Sequence, residues 1–321
     1  MVYIHEGKEE PLKGLTVAIT ASRRALELAH IVSTYGGTPF IAPTVGIKTD
    51  GSRAAEESER FGNLLASRKT DYVVFLTTVG LHSMLLGGKK IFADASIIEA
   101  LQSTKIVARS PKVSSYLEEI GLKHFLLPEE STIEAVVDLL LSQNMKNRTV
   151  AIVWHGLRSV DAVERLRRSG AQVIEFFGYS YSIETSEGGT KLLDSLKFRS
   201  VAPSETGTLE LISRVNGGLI DVITFTSPPS VLNLLEFANL NSLKGSLVHS
   251  LKTNVIVAAI GPSTKKALEE NGVKVDVIPS TFKMGPMIDS LAEYVINTSR
   301  GDALANTRSS KFPLTSFPGS S

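Results

Sequence analysis

The chain has 321 residues, 42% hydrophobic and 21% charged, with no cysteine and a formal net charge of +1. At about 150 residues per domain that is room for two domains, each able to bury a core of its own. The apolar fraction excludes a disordered chain; the missing cysteine excludes disulfides, thiolate zinc, iron–sulfur clusters and a cysteine nucleophile; the near-neutral balance gives no global reason to expect nucleic acid.

In chain order, the first ten residues are expected to fray. Val17-Ala18-Ile19-Thr20 is then a short β-branched run, followed by a helical pattern through Leu26, Leu28, Ala29 and Val32 that Gly36-Gly37 closes. The same grammar recurs at Tyr72 to Leu76, Lys105 to Ala108, Thr149 to Val153, Val222 to Phe225 and Val255 to Ile260. Continuous apolar strands with helices between them predict α/β domains built on parallel sheets covered on both faces. From about Arg300 the chain is rich in Ser, Gly and Pro without apolar periodicity and reads as a flexible tail. No apolar run reaches the roughly 18 residues of a membrane span and MVYIHEGKEEPLKG has no signal-like stretch, so a soluble, cytoplasmic protein is expected.

The chain also repeats itself. KGLTVAIT, from Lys13, resembles KNRTVAIV, from Lys146, and each is followed by a helix, a glycine and a strand-like run. DYVVFLTT from Asp71 matches DVITFTSP from Asp221, and ARSPKVSSYLEEIG matches AIGPSTKKALEENG, with Pro128 and Pro279 at the same distance beyond. Three matches in one order indicate duplication, with a longer second connection around Glu184 to Ser204. Two similar α/β domains facing one another create a cleft, and open parallel sheets bind ligands beyond the carboxyl ends of their strands.

Familiar catalytic machinery is missing. The six histidines are scattered without metal-ligand spacing, and there is no Walker sequence, no GxGxxG after the first strand and no GxSxG elbow. What remains is a set of polar strand-to-helix junctions: Thr20 to Arg24, Thr77-Thr78, Arg109 to Lys112, Trp154-His155-Gly156, Thr226 to Ser230 and Gly261 to Lys265. Each would place hydroxyls and free backbone N–H groups at a helix N-terminus, where an anion is favoured. Taken singly, each reads first as an N-cap; six together suit a ligand with several carboxylates or phosphates.

The run DVITFTSPPSVLNLLEF, then VIVAAIGPSTKKALEENGVKVDVIPSTFKMGPMIDSLAEYV, together with the opening KGLTVAITASRRALELAHIVSTYGGTPFIAPTVGI, resembles the uroporphyrinogen-III synthase family over roughly Leu12 to Tyr294. The resemblance implies an α/β fold of two similar flavodoxin-like parallel-sheet domains joined by a two-stranded β-ladder, with the active-site cleft between them. It implies ladder strands at 39–49 and 173–183, a discontinuous first domain of 11–38 and 184–299, an inserted second domain of 50–172, and flexible tails at 1–10 and 300–321. It implies conversion of hydroxymethylbilane, a linear tetrapyrrole with eight carboxylates, into uroporphyrinogen III, with loss of water and inversion of the last ring and without metal or cofactor. A monomer suits such a hinged pair of lobes.

The family's catalytic tyrosine lies in the second ladder strand, which on GAQVIEFFGYSYSIETS is Tyr179, or Tyr181 if the register slips by two. A phenol with a pKa near 10 stays protonated at neutral pH and can donate to the departing hydroxyl. Loss of that hydroxyl gives an azafulvene cation, which the substituted carbon of ring D attacks; a spiro intermediate then fragments and closes to the inverted isomer. The bland alternative for Tyr179 is an amphipathic ladder residue. By family position Ser227, Ser263 and Thr264 would bind substrate, with Thr77 in the equivalent place of the first repeat; Thr20, Thr226 and Gly261 are further substrate-binding candidates at these junctions, and Arg23, Lys112, Lys265 and Lys283 are the basic candidates. ARSPKVSS stands where the family often has a glycine-containing turn, a departure that counts against direct substrate contact at that junction. TASRRA replaces the commoner Thr-Arg start, which moves the basic group by a few residues. Two other readings are a synthase-like sensor that binds a polyanion without turnover and a general two-domain ligand-binding protein. Such sensors usually carry an added DNA-binding domain, and a tail too short for a winged helix counts against that version; the missing export signal argues against a periplasmic binder.

Overall fold

The computed structural model describes residues 10–49, 51–88, 94–154 and 156–298, without side chains at 51–54, 87–88 and 94–96. The expected tails at 1–10 and 300–321 therefore lie almost wholly outside the described residues, as does His155. The chain begins with β1 (Thr16–Ile19), α1 (Ala25–Thr34), β2 (Thr38–Ile41) and the short β3 (Gly46–Lys48). It continues through α2 (Gly51–Ala66), β4 (Tyr72–Phe75), α3 (Thr78–Gly88), α4 (Asp94–Gln102), β5 (Lys105–Ala108), α5 (Pro111–Glu119), β6 (Phe125–Leu126) and α6 (Ile133–Leu141). Next come β7 (Thr149–Trp154), α7 (Val160–Arg168), β8 (Gln172–Phe177), β9 (Ser180–Ser182) and α8 (Glu187–Ser195). The last part holds α9 (Glu205–Asn216), β10 (Val222–Phe225), α10 (Pro228–Leu240), α11 (Lys244–Thr253), β11 (Ile256–Ala259), α12 (Pro262–Glu270) and α13 (Met284–Asn297).

These elements form two compact units. Unit 1 comprises 1–46, 182–185 and 199–321; unit 2 comprises 47–181 and 186–198. The sheet of unit 1 runs β11-β10-β1-β2, all parallel, and a parallel bridge from Ala258 to Val277 extends it by one position. The sheet of unit 2 runs β6-β5-β4-β7-β8, again all parallel. The repeated segments occupy the same places: β1 and β7, β10 and β4, β11 and β5 correspond in both sequence and sheet order. Counting the strand of KGLTVAIT or KNRTVAIV as the first, each sheet has the flavodoxin-like order 2-1-3-4-5.

Alternation along each strand divides the apolar residues between two faces. In unit 1, Ala18, Ile223 and Phe225 face one buried cluster, while Val17, Ile19 and Val222 face the other. In unit 2, Val73 and Phe75 pack on one side and Tyr72, Val74 and Leu76 on the other. Both faces of both sheets are covered by helices, which is why the strands read as unbroken apolar runs.

The long ladder strands expected at 39–49 and 173–183 are not formed as such. Thr38–Ile41 pairs in register with β1, and Gln172–Phe177 with β7, so the opening part of each run belongs to a main sheet. Among the described residues only β3 and β9 pair as a separate two-stranded sheet, and two of the four passages of the chain from unit to unit fall within them. Between β2 and β3 the chain is held by unit 1: Thr44 Oγ1 donates to the Ser230 carbonyl at 2.8 Å and Asn233 Nδ2 donates to the Thr44 carbonyl at 3.0 Å. The segment 186–198 also differs from expectation. It joins unit 2, because α8 lays Leu192 and Leu193 against Ile47, Val79 and Tyr179.

Candidate active site

The carboxyl end of the unit 2 sheet gathers the residues with most chemical promise. β4 ends at Phe75, and two residues later Thr77 starts the turn into α3; its Oγ1 accepts the Gly80 N–H at 3.0 Å, a local cap. Beside it β5 ends at Ala108, and the Arg109 N–H donates to the Phe75 carbonyl at 3.1 Å, which fixes Arg109 at the edge next to β4. After β8 the chain passes through Gly178, where a Cβ would lie 1.9 Å from Ser83 Oγ and 2.6 Å from Met84 Cε on α3. The absence of a side chain there lets the strand approach α3 closely and delivers Tyr179 to the end of β4.

Tyr179 is 5% exposed, with its ring among Ile47, Val79, Leu192 and Leu193. Its hydroxyl lies 3.1 Å from Thr77 Oγ1 and 3.4 Å from the Tyr181 hydroxyl. The two tyrosine rings meet edge to face, with centroids 5.5 Å apart and planes at 82°. Tyr181, half-buried, packs its ring onto Gly156, where a Cβ would meet Cδ2 at 2.6 Å; Gly156 also has φ +86°, the left-handed region. The apolar packing of Tyr179 matches the bland ladder reading, while the placement of its hydroxyl against two others goes beyond it.

Arg109 is missing from the bases that the sequence brought forward. It is half-buried, and its Nε is buried without a hydrogen-bond partner among the described residues. Burial pushes the guanidinium below its usual pKa, against Tyr179, Tyr181 and Glu134, which favour its charged form. Nearby cations are occupied differently. Arg158 pairs with Glu175 at 2.6 Å, and this holds the Glu175 carboxyl below the usual carboxylate range, helped by Trp154 Nε1 at 2.9 Å. In the sequence Arg109 opens the polar junction Arg109 to Lys112, immediately after KIVA, nearly the place Thr77 holds after β4.

The remaining candidates fall as follows. Thr20 is fully buried and its hydroxyl donates to the Thr224 carbonyl at 2.8 Å, so it serves the unit 1 sheet and offers no hydroxyl to a ligand. Arg23 is exposed and bridges to Ser200. Lys112 is exposed in the first turn of α5, with its carbonyl accepting from Thr78 Oγ1 at 3.2 Å. At the carboxyl edge of the unit 1 sheet, Thr226 and Ser227 are half-buried, and the Ser227 hydroxyl makes no cap bond to α10. Gly261 starts α12 under the ring of Phe282, which a Cβ would approach to 3.2 Å; Ser263 is exposed and Thr264 buried. Lys265 reaches Glu269 at 3.7 Å, and Lys283 is exposed at the start of α13. Among the described residues no group of His, Cys, Asp or Glu is arranged to hold a metal ion, and no helix is long and apolar enough to cross a membrane.

A family model described as uroporphyrinogen-III synthase HemD matches residues 27–289. The chain belongs to the uroporphyrinogen-III synthase family. It is 26% identical over 283 residues to YjjA of Bacillus subtilis, described as uncharacterized, covering 88% of this chain and 97% of the other. It is 23% identical over 280 residues to the uroporphyrinogen-III synthase of Chlorobaculum parvum, covering 87% and 98%. Its fold is that of a mutant uroporphyrinogen III synthase of Thermus thermophilus, with a TM-score of 0.65, 21% identity, and coverage of 89% of this chain and 100% of that one. This uroporphyrinogen-III synthase-like chain therefore carries the family's architecture over nearly all its described length.

Proposed function

We propose that the protein is a uroporphyrinogen-III synthase, which takes hydroxymethylbilane, expels its terminal hydroxyl as water and closes the ring with the last pyrrole inverted. The observation that carries this reading is the Tyr179 hydroxyl, 3.1 Å from Thr77 Oγ1 at the carboxyl end of a flavodoxin-like sheet, in a chain of this family. Tyr179 is the proton donor to the departing hydroxyl, and Thr77 and Tyr181 align it. The step needs a protonated phenol, and proton transfer from a positioned side chain contributes roughly 10²- to 10⁴-fold. Ring closure then depends on holding the terminal pyrrole in the attacking geometry, since the free substrate closes without inversion. On the edge of unit 1, Thr226, Ser227, Gly261, Ser263 and the backbone of Thr264 receive substrate carboxylates, with Arg23 and Lys112 as outlying bases. The protein works in the cytoplasm as a monomer.

Purified protein given freshly made hydroxymethylbilane is expected to yield mainly uroporphyrinogen isomer III, with the yield unchanged by a chelator. Isomer I alone, at the spontaneous rate, would leave the chain a polyanion binder.

A further inference from the structure

We propose that Arg109, with Thr77 and the Tyr179–Tyr181 pair, is the docking point for one carboxylate of the ligand. The inference rests on the function proposed above for its substrate, and on the geometry of unit 2 for its place. A guanidinium whose Nε is buried with no hydrogen-bond partner among the described residues is a costly arrangement, because a polar group taken from water is normally paired. The same unit shows the normal solution: Arg158 is matched by Glu175, and Arg60 by Glu57 at 2.8 Å. Among the described residues Arg109 has no such match. Glu134, in the first turn of α6, contributes to the field at Arg109 without forming an ion pair with it.

An arginine held this way fits a planar carboxylate, which takes two parallel N–H donors in the fork geometry. The surroundings supply the rest of a carboxylate's needs. Thr77, Tyr179 and Tyr181 bring three hydroxyls to the same edge, within a chain of contacts of 3.1 and 3.4 Å. Arg109 is anchored through its own backbone, by the N–H donated to Phe75, so its position does not depend on the ligand. Docking a carboxylate there also neutralises the guanidinium whose field reaches the phenol. The cationic azafulvene formed when the hydroxyl leaves is then not opposed by a bare positive charge.

The test is Arg109→Met with two readouts, kinetics with hydroxymethylbilane and calorimetric binding of uroporphyrin, a stable octacarboxylate. The expected result is a rise of about 10- to 100-fold in KM and in the uroporphyrin Kd, with a smaller change in kcat, since a charged hydrogen bond of that size shifts affinity by one to two decades. Thermal stability is expected to hold or rise, because the variant removes a half-buried guanidinium whose enclosed Nε has no partner among the described residues; a residue with a structural role would lower it. Arg109→Lys, which keeps the charge and loses the fork, is expected to recover part of the affinity, and Lys69→Gln, on an exposed turn, to change nothing. Unchanged KM and Kd in Arg109→Met, or a loss of kcat alone, overturns the inference. If Met at this position prevents folding, Arg109→Gln is measured by the same readouts. The two readings separate cleanly. Wild-type protein that binds uroporphyrin through Arg109 yet makes no isomer III overturns the proposed function and supports the docking point; isomer III with an indifferent Arg109 does the reverse.

Discussion

Gly178 and Tyr179 are neighbours with opposite vulnerabilities. Adding a methyl at 178 places it within 2.6 Å of Met84 Cε and closer still to Ser83 Oγ, on a helix whose Met84 is fully buried. Gly178→Ala is expected to cost about 1–3 kcal/mol in denaturant unfolding, since overpacking shifts backbone as well as side chains. Turnover should fall with it, as α3 and the segment between β8 and β9 that carries Tyr179 move apart. Tyr179→Phe keeps the ring and its packing and removes only the hydroxyl, so about 1 kcal/mol of stability is at stake. Isomer III formation is expected to drop roughly 100-fold or more, and by less in Tyr181→Phe; a fully active Tyr179→Phe enzyme removes the phenol from the chemistry. At this scale the sequence is informative in an uneven way. The repeat and the family resemblance single out Thr77 and Tyr179, and the two hydroxyls meet. Thr20 looks identical to Thr77 as a hydroxyl after a strand, yet its hydroxyl turns into the sheet. Arg109 stays hidden because a cation after a strand ordinarily reads as solvated, and only the neighbouring strands reveal that its Nε is enclosed.

The strands carry a duplicated device that the repeat hints at without explaining. Asp71 and Asp221 open equivalent strands, and each accepts the N–H of the first residue of the neighbouring strand, Thr149 at 2.8 Å and Thr16 at 2.7 Å. They pin the register where the parallel pairing begins. Burial raises the Asp71 pKa, but the Thr149 N–H, the Arg148 guanidinium and the charge of Lys105 outweigh it and bring the carboxyl below its ordinary value. Its stabilising contribution is therefore complete above the unfolded pKa of about 4 and is lost as pH falls through the lower folded value. Asp71→Asn is expected to unfold more easily than wild type at pH 7, with the gap closing on acidification in urea titrations; a gap independent of pH would mean the carboxylate's charge is not what matters. Element order is readable because each apolar run coincides with a strand covered on both faces. The ladder is not, because its runs pass through β2 and β8 without a change of residue type. Pro39 sits in β2 at a sheet edge, where a missing N–H is tolerated, so it marks no boundary either.

Taken whole, the molecule has separate cores in its two units, and the repeat supplies matched probes of them. Phe75 and Phe225 end the equivalent strands β4 and β10, and both are fully buried. Phe75 packs edge to face with Phe61 at 6.1 Å in unit 2, whereas Phe225 lies among Leu234, Leu235 and Val257 in unit 1. Replacing either by Ala leaves a cavity costing about 3–5 kcal/mol, a large part of what one domain of this size holds in reserve. Units with their own cores need not unfold together. Scanning calorimetry is thus expected to resolve two transitions, with Phe75→Ala lowering one and Phe225→Ala lowering the other. If instead a single transition moves equally in both variants, the two cores unfold as one cooperative body, and the duplication survives in topology alone.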